Sequence, residues 1–321
     1  MGFHYMKTAF LFPGQGAQSV GMGADLCAGS RTALSVFTEA DDILAYKLST
    51  YCFYGPEEKL KETSITQPAL FTVSVAALKA LLERGVVADA VAGHSVGEYG
   101  ALYAAGALDF QTALSLVAQR GELMRQTGAA RPGTMAAILG LEGSVVRQAC
   151  EDVADKGIVD AANYNGAGQV VISGEPDAVD AAGQRCKELG AKRVLPIPVS
   201  GAFHSRLMEP AVATMRKYLE LAPMTAPTIP VVSNVTADYQ IDPTAIRENL
   251  AMQVASPVRW EETIARFIAD GFDTFVEVGC GSVLTGLMRR ISKDVRAFAA
   301  NDMASLDLVA AEIGTGAVRP A

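Results

Sequence analysis

The stretch Asp89-Ala90-Val91-Ala92-Gly93-His94-Ser95-Val96-Gly97-Glu98-Tyr99 carries the first decision about this chain. Asp89 to Ala92 reads as a short strand, and an alanine-rich helical stretch begins after Gly97. A serine between two glycines, after a strand and before a helix, is a nucleophile elbow: the small residues permit a sharp turn that lifts the hydroxyl clear of a sheet. Strand, tight turn and helix in that order imply a parallel sheet covered on both faces, and hence an α/β fold.

Working outward, Thr8 to Phe12 is an apolar run that breaks into Pro13-Gly14-Gln15-Gly16, a buried strand followed by a glycine-rich loop. Apolar residues recur at helical spacing from Gln67 to Arg84, where Gly85 ends the run. A second helical pattern covers Asp109 to Met124 and is interrupted by Gly121. Between Pro132 and Pro198 the order changes. It reads strand Thr134 to Leu139, helix Gly143 to Val153, strands Ile158 to Ala162 and Gln169 to Ser173, helix Asp177 to Leu189 and strand Arg193 to Leu195. That βαββαβ order is ferredoxin-like and suits a small inserted subdomain. Strands at Ile229 to Val232, Thr274 to Val278 and Val295 to Phe298 then resume the main sheet. The expected architecture is a hydrolase-like parallel-sheet core over residues 1–131 and 199–321, split by a ferredoxin-like subdomain over residues 132–198.

The chain has 321 residues, 50% of them apolar, ample for a buried core. A net charge of -8 does not support a phosphate-tracking surface, so no nucleic-acid partner is expected. Five cysteines, Cys27, Cys52, Cys150, Cys186 and Cys280, lack CxxC spacing, which argues against a metal site and a disulfide framework and for a cytoplasmic protein. No apolar stretch is expected to approach a membrane span, and the segment Met1 to Met6 lacks signal-peptide character, with Met6 read as the natural initiator. The tail after Gly314 is expected to fray.

A serine hydroxyl needs a base, most often histidine. Of the three histidines, His4 lies in the leader and His94, beside Ser95 in the turn, should project away from it, which leaves His204 by elimination. His204 lies in Val199-Ser200-Gly201-Ala202-Phe203-His204-Ser205, an irregular segment where site loops tend to be found. In an elbow the backbone N–H of the residue after the nucleophile, Val96, serves an oxyanion hole, and Gln15 in the glycine-rich loop is placed to offer the second N–H. A phosphate loop is the weaker reading there, because Gly14-Gln15-Gly16 lacks a following lysine.

These residues resemble the malonyl-CoA:acyl carrier protein transacylases of fatty acid synthesis and the related acyltransferase domains of polyketide synthases. The resemblance spans the chain. It rests on Phe12-Pro13-Gly14-Gln15-Gly16-Ala17-Gln18, Thr66-Gln67-Pro68-Ala69, Gly93-His94-Ser95-Val96-Gly97-Glu98-Tyr99, Gly201-Ala202-Phe203-His204-Ser205 and Glu277-Val278-Gly279. It implies Ser95 as the acylated residue, His204 as its base and the N–H groups of Gln15 and Val96 as the oxyanion hole. It further implies that Arg120 holds the free malonyl carboxylate, that a backbone carbonyl of Gln253 orients His204 in place of a triad acid, and that Phe203 marks malonyl preference. Without it, Arg120 would read as a solvated helix charge. Cys280 stands where the family usually has proline, raising the question of a reactive thiol, though a buried inert one is the plainer reading.

The implied reaction is a ping-pong transfer of malonyl from malonyl-CoA to the phosphopantetheine thiol of acyl carrier protein, without metal or other cofactor, by a monomer with no membrane partner. An acidic carrier would need a local basic patch, for which Lys192, Arg193, Arg206, Arg289 and Arg290 are candidates, solvated surface charge being as good a reading of most. Two alternatives share these residues: a serine esterase or thioesterase that discharges to water, and a carrier-binding module with a dead site.

Overall fold

The structure, a computed structural model, describes residues 6–199 and 201–314. Residues 1–5 (His4 among them), Ser200 and residues 315–321 lie outside the described residues. Ten strands occur among those described: β1 Lys7–Phe12, β2 Ala90–Gly93, β3 Thr134–Leu139, β4 Val159–Gly166, β5 Gln169–Gly174, β6 Arg193–Ile197, β7 Val231–Val232, β8 Tyr239–Gln240, β9 Phe272–Val278 and β10 Arg296–Ala300. They form two sheets, one of six strands in the order β10-β9-β1-β2-β7-β8 and one of four in the order β4-β5-β3-β6.

The larger sheet is parallel from β10 to β7, and β8 pairs antiparallel to β7 at its edge. The fold is thus mixed α/β. β8 was not expected from the sequence, where Tyr239–Gln240 is too short to show alternation. From β1 the chain adds β2 and β7 on one side and, later, β9 and β10 on the other, so β1 borders a topological switch point. Loops at the carboxyl ends of such strands diverge and leave a crevice. Buried Phe10 and Phe12 pack to one face of β1, Ala9 and Leu11 to the other.

The helix Thr63–Glu83 crosses the core with sixteen buried residues. It is long and apolar enough to span a membrane, contrary to the expectation that no stretch approached that length, but 83% of its apolar window is buried inside the protein. Its composition is that of a core helix hydrophobic all round. It also begins a turn before the expected Gln67. The helix Phe110–Ala130 runs straight through Gly121, which does not interrupt it. A Cβ at Gly121 would lie 2.9 Å from the Thr63 carbonyl oxygen, so the glycine is there to let the two helices touch.

The smaller sheet is antiparallel throughout. The helices Gly143–Asp152 and Pro176–Glu188 cover it around Ile138, Val146, Ile172 and Val179. Its strands and helices follow the expected βαββαβ order, with β4 ending four residues later than expected. The polar Asn163-Tyr164-Asn165-Gly166 reads as a loop in sequence, but β5 pairs with it, and Val258 of the larger body bonds to Ala162 and Tyr164.

Candidate active site

The elbow follows from sterics. Ser95 has φ 54°, a left-handed conformation that costs a non-glycine residue energy and is kept where surrounding structure enforces it. A Cβ at Gly93 would lie 1.9 Å from the carbonyl carbon of Gly97, and one at Gly97 would lie 2.1 Å from the oxygen of Phe12. Only glycine fits at either position. Asn234 closes the turn: its Oδ1 accepts from the Ser95 N–H at 2.7 Å, and its Nδ2 donates to the Gly93 oxygen at 2.6 Å.

Ser95 Oγ lies 2.7 Å from His204 Nε2. His204 Nδ1 lies 2.8 Å from the backbone oxygen of Gln253 and 3.2 Å from that of Ser256. Both oxygens can only accept, so Nδ1 carries the proton and Nε2 presents a lone pair to the serine. Burial, and then the charge of Arg120, push the imidazole down to about 3. His204 is therefore neutral at physiological pH, the form a proton acceptor must have. His94 turns elsewhere: its Nε2 meets Asn165 Oδ1 at 2.9 Å, and its ring packs at 5.4 Å on Trp260.

Arg120 is not a solvated charge. It is 0% exposed, where a cation is costly unless paired and hydrogen-bonded. Its Nη1 donates to Gln67 Oε1 at 2.6 Å, and its Nη2 to Gln253 Oε1 at 2.9 Å and to Ser95 Oγ at 3.1 Å. The Tyr99 ring lies 5.9 Å away, and Nε is buried without a partner among the described residues. Gln67, in the motif Thr66-Gln67-Pro68-Ala69, thus belongs to the site, a place its sequence neighbours do not disclose. Asn234 was not singled out at all. A lone asparagine far along the chain carries no local signal.

Gln15, Val96, Phe203, His204 and Ser95 line one cavity of about 250 Å³. Met135, Val171 and Ile197 of the smaller sheet form another wall, and Val283, Leu284 and Leu287 a third. The N–H groups of Gln15 and Val96 have no hydrogen-bond partner among the described residues. Glu277 of the last motif accepts from the N–H groups of Leu284 and Thr285 at 3.1 and 2.7 Å. It caps the helix Val283–Ile291, whose side chains form that third wall. Cys280 is buried, its thiol donates to the Ala17 oxygen at 3.2 Å, and burial pushes it up to about 12. It is an inert thiol.

Of the carrier-docking candidates, Arg206 is bound to Asp160 at 2.9 Å, and the Lys192 stem fills the space beside Gly140. Arg193, Arg289 and Arg290 are exposed. Among the described residues no group of three or more His, Cys, Asp and Glu could hold a metal.

The family model described as the acyl transferase domain matches residues 9–313. A relative from Bacillus subtilis (strain 168), the malonyl CoA-acyl carrier protein transacylase, is 44% identical over 303 residues, covering 94% of this chain and 96% of that protein. Among solved structures, an acyl carrier protein S-malonyltransferase from Vibrio cholerae superposes with a TM-score of 0.92 at 46% identity, covering 94% of this chain and 99% of that one. A malonyl-transacylase solved in complex with its type II PKS acyl-carrier protein gives 0.92 at 43% identity, covering 95% and 99%.

Proposed function

Because the chain belongs to the acyl transferase family, we propose that it transfers a malonyl group from malonyl-CoA to the phosphopantetheine thiol of an acyl carrier protein, supplying fatty acid or polyketide synthesis. The observation that carries this reading is the meeting at Ser95 Oγ of His204 Nε2 at 2.7 Å and Arg120 Nη2 at 3.1 Å. A base activates the hydroxyl, and a guanidinium stands where the far end of a short dicarboxylic acyl group would lie.

In the first half-reaction Ser95 attacks the thioester carbon while His204 takes the hydroxyl proton, and the oxyanion is received by the N–H groups of Gln15 and Val96. The C–S bond breaks, and His204 returns the proton to the coenzyme A sulfur. In the second half, the carrier thiol gives its proton to His204, its sulfur attacks the malonyl-serine ester, the C–O bond breaks, and His204 returns that proton to Ser95 Oγ. A thioester is exchanged for a thioester, and no cofactor is needed. Arg120 binds the free carboxylate through parallel hydrogen bonds, for which its unpartnered Nε is a spare donor. Phe203, in the cavity wall, limits room beside the malonyl carbon.

The same reading takes the larger sheet as a hydrolase-like core over residues 1–131 and 199–321 and the smaller as a ferredoxin-like subdomain over residues 132–198, the substrate cavity lying between them. Five free cysteines favour a reducing cytoplasm, and we assign the protein as a monomer there. Intact-mass spectrometry tests the chemistry. With malonyl-CoA, the protein should gain one malonyl group, Ser95→Ala should gain none, and Arg120→Ala should lose malonyl in favour of acetyl loading from acetyl-CoA. Added carrier protein should remove the adduct. Loss of the adduct to water at the same rate without carrier would mean a thioesterase, and no adduct at all would sink the transfer reading.

A further inference from the structure

Glu98 takes no part in those steps, yet its carboxylate holds the groups that do. It is 1% exposed and accepts three hydrogen bonds. Gln240 Nε2 donates to Oε1 at 2.7 Å, and Oε2 receives Gln253 Nε2 at 2.6 Å and the Asn234 N–H at 3.1 Å. The two donors on Oε2 come from the residues that flank the Ser95 peptide. Asn234 accepts from the Ser95 N–H, and Gln253 Nε2 also donates to the Ser95 oxygen at 3.1 Å.

With Glu98 ionised, Gln253 stands between a group that only accepts and a group that only donates. With a carboxylate on one side and the Arg120 guanidinium on the other, its amide has a single satisfactory orientation: NH2 towards Glu98, Oε1 towards Arg120. An amide at position 98 could itself donate, and Gln253 could then turn its own NH2 against the guanidinium. Arg120 would lose one of the two side-chain acceptors that hold it beside Ser95 Oγ, together with the buried anion that offsets its charge.

We infer that Glu98 is a positioning residue that, through Gln253, sets the orientation and charge balance of Arg120 and so selects acyl thioesters bearing a free carboxylate over those without one. The inference rests on the malonyl-transfer reading above. The test is Glu98→Gln, which keeps the shape of the side chain, assayed at pH 8, where the native group is ionised although burial raises it to about 7, for loading from malonyl-CoA and from acetyl-CoA. The expected result is a fall of about 10–100-fold in kcat/KM for malonyl-CoA, mostly through KM, with acetyl-CoA loading held. Equal losses on both substrates would mean a merely structural role and would overturn the inference, as would no loss on malonyl-CoA. If Glu98→Gln does not fold, Gln240→Leu removes one of the three donors without touching Gln253. It should show the same malonyl-specific loss in smaller degree, and an unchanged malonyl-to-acetyl ratio overturns the inference. The unmutated protein separates the two readings: if it takes no malonyl from malonyl-CoA, malonyl transfer itself fails, and if it loads normally while the variants stay selective, only the role of Glu98 fails.

Discussion

Ser95 is held from four directions: His204 and Arg120 at its hydroxyl, Asn234 at its N–H and Gln253 at its carbonyl. A nucleophile that must attack along one line gains from such restraint, because positional freedom lost on folding need not be lost again in the transition state. His204 could be found in the sequence because the chain has only three histidines. The burial of Arg120 could not, since its partners Gln67 and Gln253 lie 53 and 133 residues away. The cysteines belong to the same scale. Burial raises the thiols of Cys27 and Cys186 to about 11 and of Cys150 and Cys280 to about 12, and raises Cys52 as well. Thiolate is the reactive form. Iodoacetamide at neutral pH should therefore leave both the mass and the transfer activity of the native protein unchanged. Labelling of Cys280 with loss of activity would show that the loop after β9 opens.

Among the elements, the contact between the helices Thr63–Glu83 and Phe110–Ala130 brings Gln67 to Arg120. Gly121 makes that contact possible. Alanine there would gain about 1 kcal/mol in helix propensity, but its Cβ would meet the Thr63 oxygen at 2.9 Å and the Ser64 Cα at 3.2 Å, where backbone has to move. Overpacking of this kind costs about 1–3 kcal/mol, so the net effect should be destabilising or at best neutral. Gly121→Ala should lower Tm and raise KM for malonyl-CoA, measured by thermal unfolding and by initial rates. A higher Tm with unchanged KM would mean that the helices separate freely. In sequence, Gly121 looks like a flaw in a helical pattern, because the pattern records one helix and not its neighbour. The elbow is different: strand, glycines and serine are consecutive, and the sterics that demand Gly93 and Gly97 act within a few residues.

At the scale of the molecule, two buried groups of the site give opposite pH dependences of stability. His204 has a folded value of about 3 against an ordinary 6.5, so its contribution is present above 6.5 and is lost as pH falls through that window, when the unfolded chain takes up the proton. Burial pushes Glu98 up to about 7 from 4.5, against its three donors and Arg120, so its contribution is present below 4.5 and is lost as pH rises towards 7. On acidification from 7 to 4.5 the two partly cancel in the native protein. Glu98→Gln removes one of them. The variant should lose more Tm than the native protein over that interval, and parallel Tm curves would show that Glu98 keeps an ordinary carboxyl value.

The sequence by itself determined the α/β order, the elbow, the βαββαβ segment and the Ser95–His204 pair, because each depends on periodicity, on turn sterics within a few residues or on the scarcity of one residue type. Only the tertiary structure decided that Arg120 is buried, that Asn234 closes the elbow, that β4 extends through Asn163-Tyr164-Asn165 to Val258, and that Glu98 joins Gln240, Gln253 and Asn234. Most of those features are hydrogen bonds between distant groups, up to 155 residues apart for Glu98 and Gln253. A buried polar group must find its partner wherever the fold brings one, and the local pattern of a chain holds no record of which distant group that will be.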